Sequence, residues 1–226
     1  MQLTPDDQIW WQYGFVKINS TMIFTWAVMA LLTAGAWMVT RRLNAGSPIS
    51  RMQHVLEVVV GIIEKQLNEI SPRRPVGLLP FVGTLFLFIA VCNTLSIIPG
   101  FDPPTGSLST TAGLSLCVFT AVPAYGIGAI GLKRYARNYL QPTPFMLPFN
   151  ILGEFSRTLA LSVRLFGNVM SGTMVGAILL IIAPLVVPLL MQLLGLLTGM
   201  VQAYIFAVLA AVYISAGMDA TPSRGE

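Results

Sequence analysis

From Thr158 to Gly217 the chain runs for sixty residues with a single charged side chain, Arg164. A stretch that apolar is built for lipid. There it must form helices that satisfy their own backbone, because hydrocarbon offers no partner to a free N–H or C=O. The exception is costly. A guanidinium at the bilayer centre costs about 2.5–3.5 kcal/mol on insertion scales, so such a residue faces a bundle interior or an aqueous cavity and marks function. Its neighbours, Leu161-Ser162-Val163-Arg164-Leu165-Phe166-Gly167-Asn168, place an amide one helical turn later on the same face.

The remaining sequence sets the frame for that segment. Of 226 residues, 55% are hydrophobic and 10% charged, against roughly 25% charged in a soluble domain. The expected fold is an all-α integral membrane protein, with residues 1–226 forming one membrane domain. The net charge of +4 does not indicate nucleic-acid binding, because the basic residues sit in short clusters between apolar runs. Crossing a ~30 Å core takes about 20 mostly apolar residues. Five stretches qualify, at about 21–40, 78–98, 108–132, 149–183 and 188–216. Pro123, followed by Gly126, Gly128 and Gly131, predicts a kink in the third. The fourth is too long for a perpendicular crossing, about 50 Å as a helix. It must slant or curve, and Pro184 and Pro188 bracket a tight turn into the last span. A long, tilted antiparallel C-terminal hairpin is the expected result.

Residues 50–70 are too polar to cross. Ser50 and Gln53 have the form of a capping box. Glu57, Gly61, Glu64 and Asn68 make a polar stripe opposite Val55, Val59, Ile63, Leu67 and Ile70, which predicts an amphipathic helix in the interface. The cationic residues then set orientation. Arg41, Arg42, Arg51, Lys65, Arg73, Arg74, Lys133, Arg134 and Arg137 fall on one side, and Lys17 alone on the other. The positive-inside rule places the N-terminus outside and the C-terminus in the cytoplasm. No cleavable signal peptide is expected, since Asp6 and Asp7 precede the first apolar run and Arg41-Arg42 follow it. Cys92 and Cys117 lie inside apolar runs and read as core residues without a redox role.

The polar residues of the hairpin fall near one stripe. Glu154, Arg157, Leu161, Arg164, Asn168 and Ser171 are spaced 3, 4, 3, 4 and 3 apart, which is helical-face spacing. Glu154 and Arg157 lie near the cytoplasmic end, where they can pair. Gln202 is the midpoint of the last span and falls at the depth of Arg164 in an antiparallel hairpin. No carboxylate of this chain is placed to neutralise Arg164. Its countercharge is expected from another subunit, the alternative being a structural Arg satisfied by carbonyls and water. Asn168 or Gln202 taken singly could equally be an interhelical hydrogen bond. Gly172-x-x-x-Gly176 and Gly195-x-x-x-Gly199 suggest close helix packing.

At these residues the chain resembles subunit a of the F-type rotary ATP synthases. The likeness rests on Arg164-Leu165-Phe166-Gly167-Asn168, on Gln202-Ala203-Tyr204-Ile205-Phe206-Ala207-Val208-Leu209 and on Val212-Tyr213-Ile214-Ser215. Asn93-Thr94-Leu95 and Ile98-Pro99-Gly100 add weaker support, and the likeness covers roughly residues 50–217. It implies an ion-channel stator beside a rotating ring of c subunits, with two offset half-channels that carry H⁺ or Na⁺ to and from each ring carboxylate. Arg164 then lies between the half-channels, with Asn168 and Gln202 lining or orienting the site. Half-channel lining is assigned to Glu154, Arg157, Ser171, Thr173, Gln192 and Thr198. The implied partners are the c ring, a b-type peripheral stalk and the rest of the complex, in a bacterial inner membrane. No cofactor is implied beyond the translocated ion.

Two positions depart from the pattern. Proton-driven members usually carry an acid five residues after the Asn and a His seven before the Gln, where this chain has Thr173 and Gly195. Thr173 and the Met218-Asp219-Ala220-Thr221-Pro222 tail are similar to the sodium-linked N-type branch. Among other readings, a secondary ion transporter predicts internal repeats and broken helices, and neither is visible. A purely structural membrane subunit leaves Arg164 unexplained. The chain holds no His-Glu-x-x-His and no P-loop, and His54 is its only histidine. No catalytic residue or metal site is expected on it, and ATP chemistry is expected on partners.

Overall fold

The computed structural model describes residues 9–13, 16–41, 51–70, 77–98, 101–140, 145–182 and 187–219. Ser50, Arg42, Arg73, Arg74, Pro99, Gly100, Ala183, Pro184 and the Ala220-Thr221-Pro222 tail lie outside them. The elements in chain order are β1 (Ile9–Tyr13), β2 (Val16–Asn19), α1 (Ser20–Thr40), α2 (Arg51–Ile70), α3 (Leu78–Leu95), α4 (Leu108–Ile130), α5 (Leu132–Leu140), α6 (Met146–Ile182) and α7 (Val187–Asp219). A single 3₁₀ turn, Pro104–Gly106, leads into α4. α1, α3, α4, α6 and α7 are long and apolar enough to cross a membrane. α2 is the expected amphipathic helix.

Two features differ from expectation. β1 and β2 form a short antiparallel ribbon before α1, pairing Tyr13 with Val16 and Ile9 with Asn19. Strands of five and four residues are too short to show an alternating pattern against an apolar background. α5 is also unanticipated. It starts after Gly131, whose φ of 82° and ψ of 150° fall in a region almost reserved to glycine. That turn folds α5 back so that Tyr135 is buried beside Gly126, with no room there for a Cβ. α4 runs as one helix with Pro123 inside it.

α7 is the organising element, and its packing face explains why. Ala203, Ala207, Ala210, Ala211, Ile214 and Met218 are buried and recur at helical spacing. Small side chains let neighbouring backbones approach closely in lipid, where association rests on packing rather than water exclusion. α3 and α4 both pack on this face. Towards one end, Leu67, Leu78, Val82, Val122, Ala211 and Ile214 form a core. Towards the other, Leu85, Ile89, Val118, Leu161, Leu165, Ala203 and Phe206 form a second. α2 is fastened beneath by buried Leu67 and by a hydrogen bond from Tyr204 Oη to Gln66 Oε1 at 2.8 Å.

α6 is different. It has 37 residues, about 55 Å of helix, so it must tilt to stay within a ~30 Å core. It touches the bundle through a narrow strip centred on Leu161, Ser162 and Leu165, and most of its length is exposed.

Candidate functional site

Arg164 sits at the border of that strip. Three residues on from Leu161, it is turned about 60° round the axis from the buried line, and its side chain is exposed. Among the described residues it has no hydrogen-bond or ion-pair partner. On the facing helix, Ala203 and Phe206 share a core with Leu161 and Leu165, which sets the adjacent Gln202 at the level of Arg164. Gln202 is only 6% exposed, and its Nε2 has no hydrogen-bond partner. No hydrogen bond joins Gln202 or Asn168 to Arg164 among the described residues.

Two separate cavities flank this level. The first, about 360 Å³, lies between the C-terminal half of α6, the N-terminal half of α7 and the loop after α3. Asn168, Thr173 and Gln192 line it together with Asn93, Ser96 and Asp102. Gly172, Gly176, Gly195 and Gly199 are also in its wall. A Cβ on Gly172, Gly176 or Gly195 would meet nothing within 4 Å, so these glycines open space rather than close a helix contact. Gly199 does make a close approach, with Asn93 atoms 3.0 Å from where its Cβ would stand. Asn93 Nδ2 donates to the Gly199 carbonyl at 2.8 Å, and Asn93 Oδ1 accepts from Thr105 at 3.2 Å. This clasp joins α3, α7 and the 3₁₀ turn.

The second cavity, about 350 Å³, lies at the opposite end of the hairpin, between the N-terminal part of α6, the C-terminal part of α7 and α4. Glu154, Arg157, Thr158, Asn150 and Tyr213 supply its polar lining. Arg157 stands over the Tyr213 ring, 5.6 Å from its centroid. On α6 the second cavity ends at Thr158 and the first begins at Asn168. The ten helical steps from Thr158 to Asn168 span about 15 Å. Arg164 lies in that interval and lines neither cavity.

The structure thus divides the residues expected to line a path. Glu154 and Arg157 meet in one cavity; Asn168, Thr173 and Gln192 meet in the other. Ser171 and Thr198 line neither; each hydroxyl bonds back to its own helix, Ser171 to Asn168 O at 3.2 Å and Thr198 to Leu194 O at 2.9 Å. Sequence reasoning missed Asp102, Ser96, Asn150 and Tyr213 as lining residues. Asp102 had a signal, being the only acid between Glu69 and Glu154. Cys92 and Cys117 are both free, and the described residues contain no cluster able to hold a metal ion.

Five apolar crossings with polar groups gathered along one hairpin define a multi-pass membrane protein. Comparison with known proteins is specific. The family model described as ATP synthase A chain matches residues 22–215. ATP synthase subunit a of Albidiferax ferrireducens is 56% identical over 229 residues, covering 100% of this chain and 99% of that one. ATP synthase subunit a 1 of Prosthecochloris aestuarii is 57% identical over 226 residues, all of both chains. ATP synthase subunit a of Nitrosospira multiformis is 57% identical over 175 residues, 77% of this chain and 70% of the other. The chain belongs to the ATP synthase A chain family, and is a membrane component of an F-type ATP synthase.

Proposed function

We propose that this chain is the ion-channel stator of its synthase, with the two cavities as offset half-channels and Arg164 as the charge that separates them. The observation that carries this reading is the interruption. Two polar cavities open at opposite ends of the α6–α7 hairpin, and the stretch of α6 between them holds an exposed guanidinium with no partner among the described residues. An ion entering one cavity cannot pass straight to the other, because a fixed positive charge stands in the gap. It must be carried across by a group outside this chain.

The carrier suited to that task is a carboxylate on a moving partner, a ring of c subunits seated on the exposed strip of α6. As the acid reaches Arg164, the guanidinium favours its ionised form and drives off the bound cation, since an opposite charge within about 4–6 Å stabilises the charged state. Past Arg164 the carboxylate reloads from the other cavity. Asn168, in the wall of the first cavity one turn from Arg164, and Gln202, at the same level on α7, orient the groups there. ATP chemistry stays on partner subunits, and a b-type stalk holds the stator still. The positive-inside pattern places the first cavity outside and the second facing the cytoplasm, in a bacterial inner membrane. The coupling cation is H⁺ or Na⁺.

The test is Arg164→Ala in the whole complex, reconstituted into vesicles. Ion-driven ATP synthesis is expected to vanish while the complex still assembles and purifies. Coupled synthesis surviving in that variant would overturn the proposal.

A further inference from the structure

We propose that Asp102 is the cation-recruiting residue of the first cavity, a carboxylate supplied by the loop between α3 and α4 rather than by the hairpin itself. The inference rests on the half-channel reading above and adds a residue to it. Among the described residues, Asp102 is the only charged side chain in the wall of that cavity. The groups it shares the space with are neutral: the Thr173 hydroxyl and the Gln192 and Asn168 amides. These oxygens can pass a monovalent cation along but cannot concentrate one. The second cavity differs, because there Glu154 is accompanied by the cation of Arg157.

The loop holds the carboxylate in place. Asp102 is half-buried between Phe101 and two buried prolines, Pro103 and Pro104, whose φ angles are fixed by their rings. The Phe101 N–H donates to Ile98 O at 3.1 Å, and its ring meets Phe24 of α1 edge-on at 4.9 Å. The Gly106 N–H donates to Pro103 O at 2.8 Å. Within the 3₁₀ turn, Thr105 donates to Asn93, a further member of the same cavity wall. A rigid negative group at the end of a low-dielectric cleft focuses its field and raises the local concentration of cations.

The test uses the full complex in vesicles and measures ATP synthesis against cation concentration on the side to which the first cavity opens. H⁺ and Na⁺ are titrated separately, at constant membrane potential and ionic strength. Asp102→Asn is expected to raise the half-saturating concentration of the coupling cation roughly three- to tenfold, a larger effect than its effect on the maximal rate. Asp102→Glu restores the lower value. Thr173→Asp, which leaves Asp102 in place and adds a carboxylate to the same cavity, lowers it further, and this arm does not depend on Asp102→Asn assembling. An unchanged half-saturating concentration for both cations in Asp102→Asn or in Thr173→Asp overturns the inference, as does a loss of maximal rate alone. Arg164→Ala runs in parallel. If it keeps coupled synthesis, the half-channel reading itself fails; if it abolishes synthesis while the Asp102 and Thr173 variants leave half-saturation unmoved, only the role of Asp102 falls.

Discussion

A side-chain amide buried to 94% with an N–H₂ that has no hydrogen-bond partner among the described residues is a burden on any fold, and Gln202 carries one. Leaving such a donor unsatisfied costs about 1–3 kcal/mol. Gln202→Leu has nearly the same volume and deletes the orphan donor, so the subunit is expected to be as stable as before or more so, by up to ~1–3 kcal/mol. Ion-driven ATP synthesis is expected to fall about tenfold or more, if in the assembled complex this free donor bonds the passing carboxylate as the proposed function implies, the effect of one hydrogen bond to a charged group. Thermal unfolding of the variant in detergent and synthesis rates in vesicles check the two halves separately. A variant both less stable and fully active would show that Gln202 serves the core alone. Asn93 makes the contrast: its amide is as deeply buried but donates to Gly199 and accepts from Thr105, so it reads as structure.

At the scale of the element, what the sequence reveals depends on how long a pattern runs. The five crossings were legible because twenty apolar residues in a row leave no other option. α2 was legible because its two stripes persist over five turns. Arg164, Asn168 and Gln202 stood out as polar groups in an apolar background. The cavities did not, because a cavity joins residues from distant segments: Asp102 from a loop, Gln192 from α7 and Thr173 from α6. The glycines were misread for the same reason. Gly172-x-x-x-Gly176 has the spacing of a close helix contact, and only a third dimension shows it bordering a void. α2 offers a test of how one interfacial helix is fastened. Tyr204→Phe removes the hydrogen bond to Gln66, and polar bonds of this kind in membranes average about 0.6 kcal/mol with a maximum near 1.7. Amide hydrogens of α2 are expected to exchange about threefold faster in the variant, with those of α3 and α7 unchanged. Equal rates in α2 would mean that buried Leu67 and its neighbours hold the helix unaided.

The whole molecule is a bundle with one deliberately uncovered side. α3, α4 and α7 bury one another, while α6 leans on them by a strip and shows the rest of its length outward. If the two cavities are separate aqueous mouths, introduced cysteines will report them from opposite sides. In a background lacking exposed Cys117, cysteines at Thr173 and Gln192 are expected to react with a membrane-impermeant thiol reagent from the face shared with β1 and β2. Cysteines at Asn150 and Gly153 are expected to react only from the other face. A position at Val163, between the cavities, should resist from both. Labelling of both groups from one side would contradict the division.

That division has an electrical meaning. If both mouths fill with water, as the half-channel proposal requires, they conduct, and the insulating layer shrinks from the full hydrocarbon thickness of ~30 Å to no more than the roughly 15 Å of tilted α6 between Thr158 and Asn168. On that proposal the membrane voltage falls almost wholly across the turns that carry Arg164, at no less than about twice the field strength of an undisturbed bilayer. Each elementary charge carried past that residue exchanges about 2.3 kcal/mol per 100 mV with the potential, and it does so over the distance of a few helical turns.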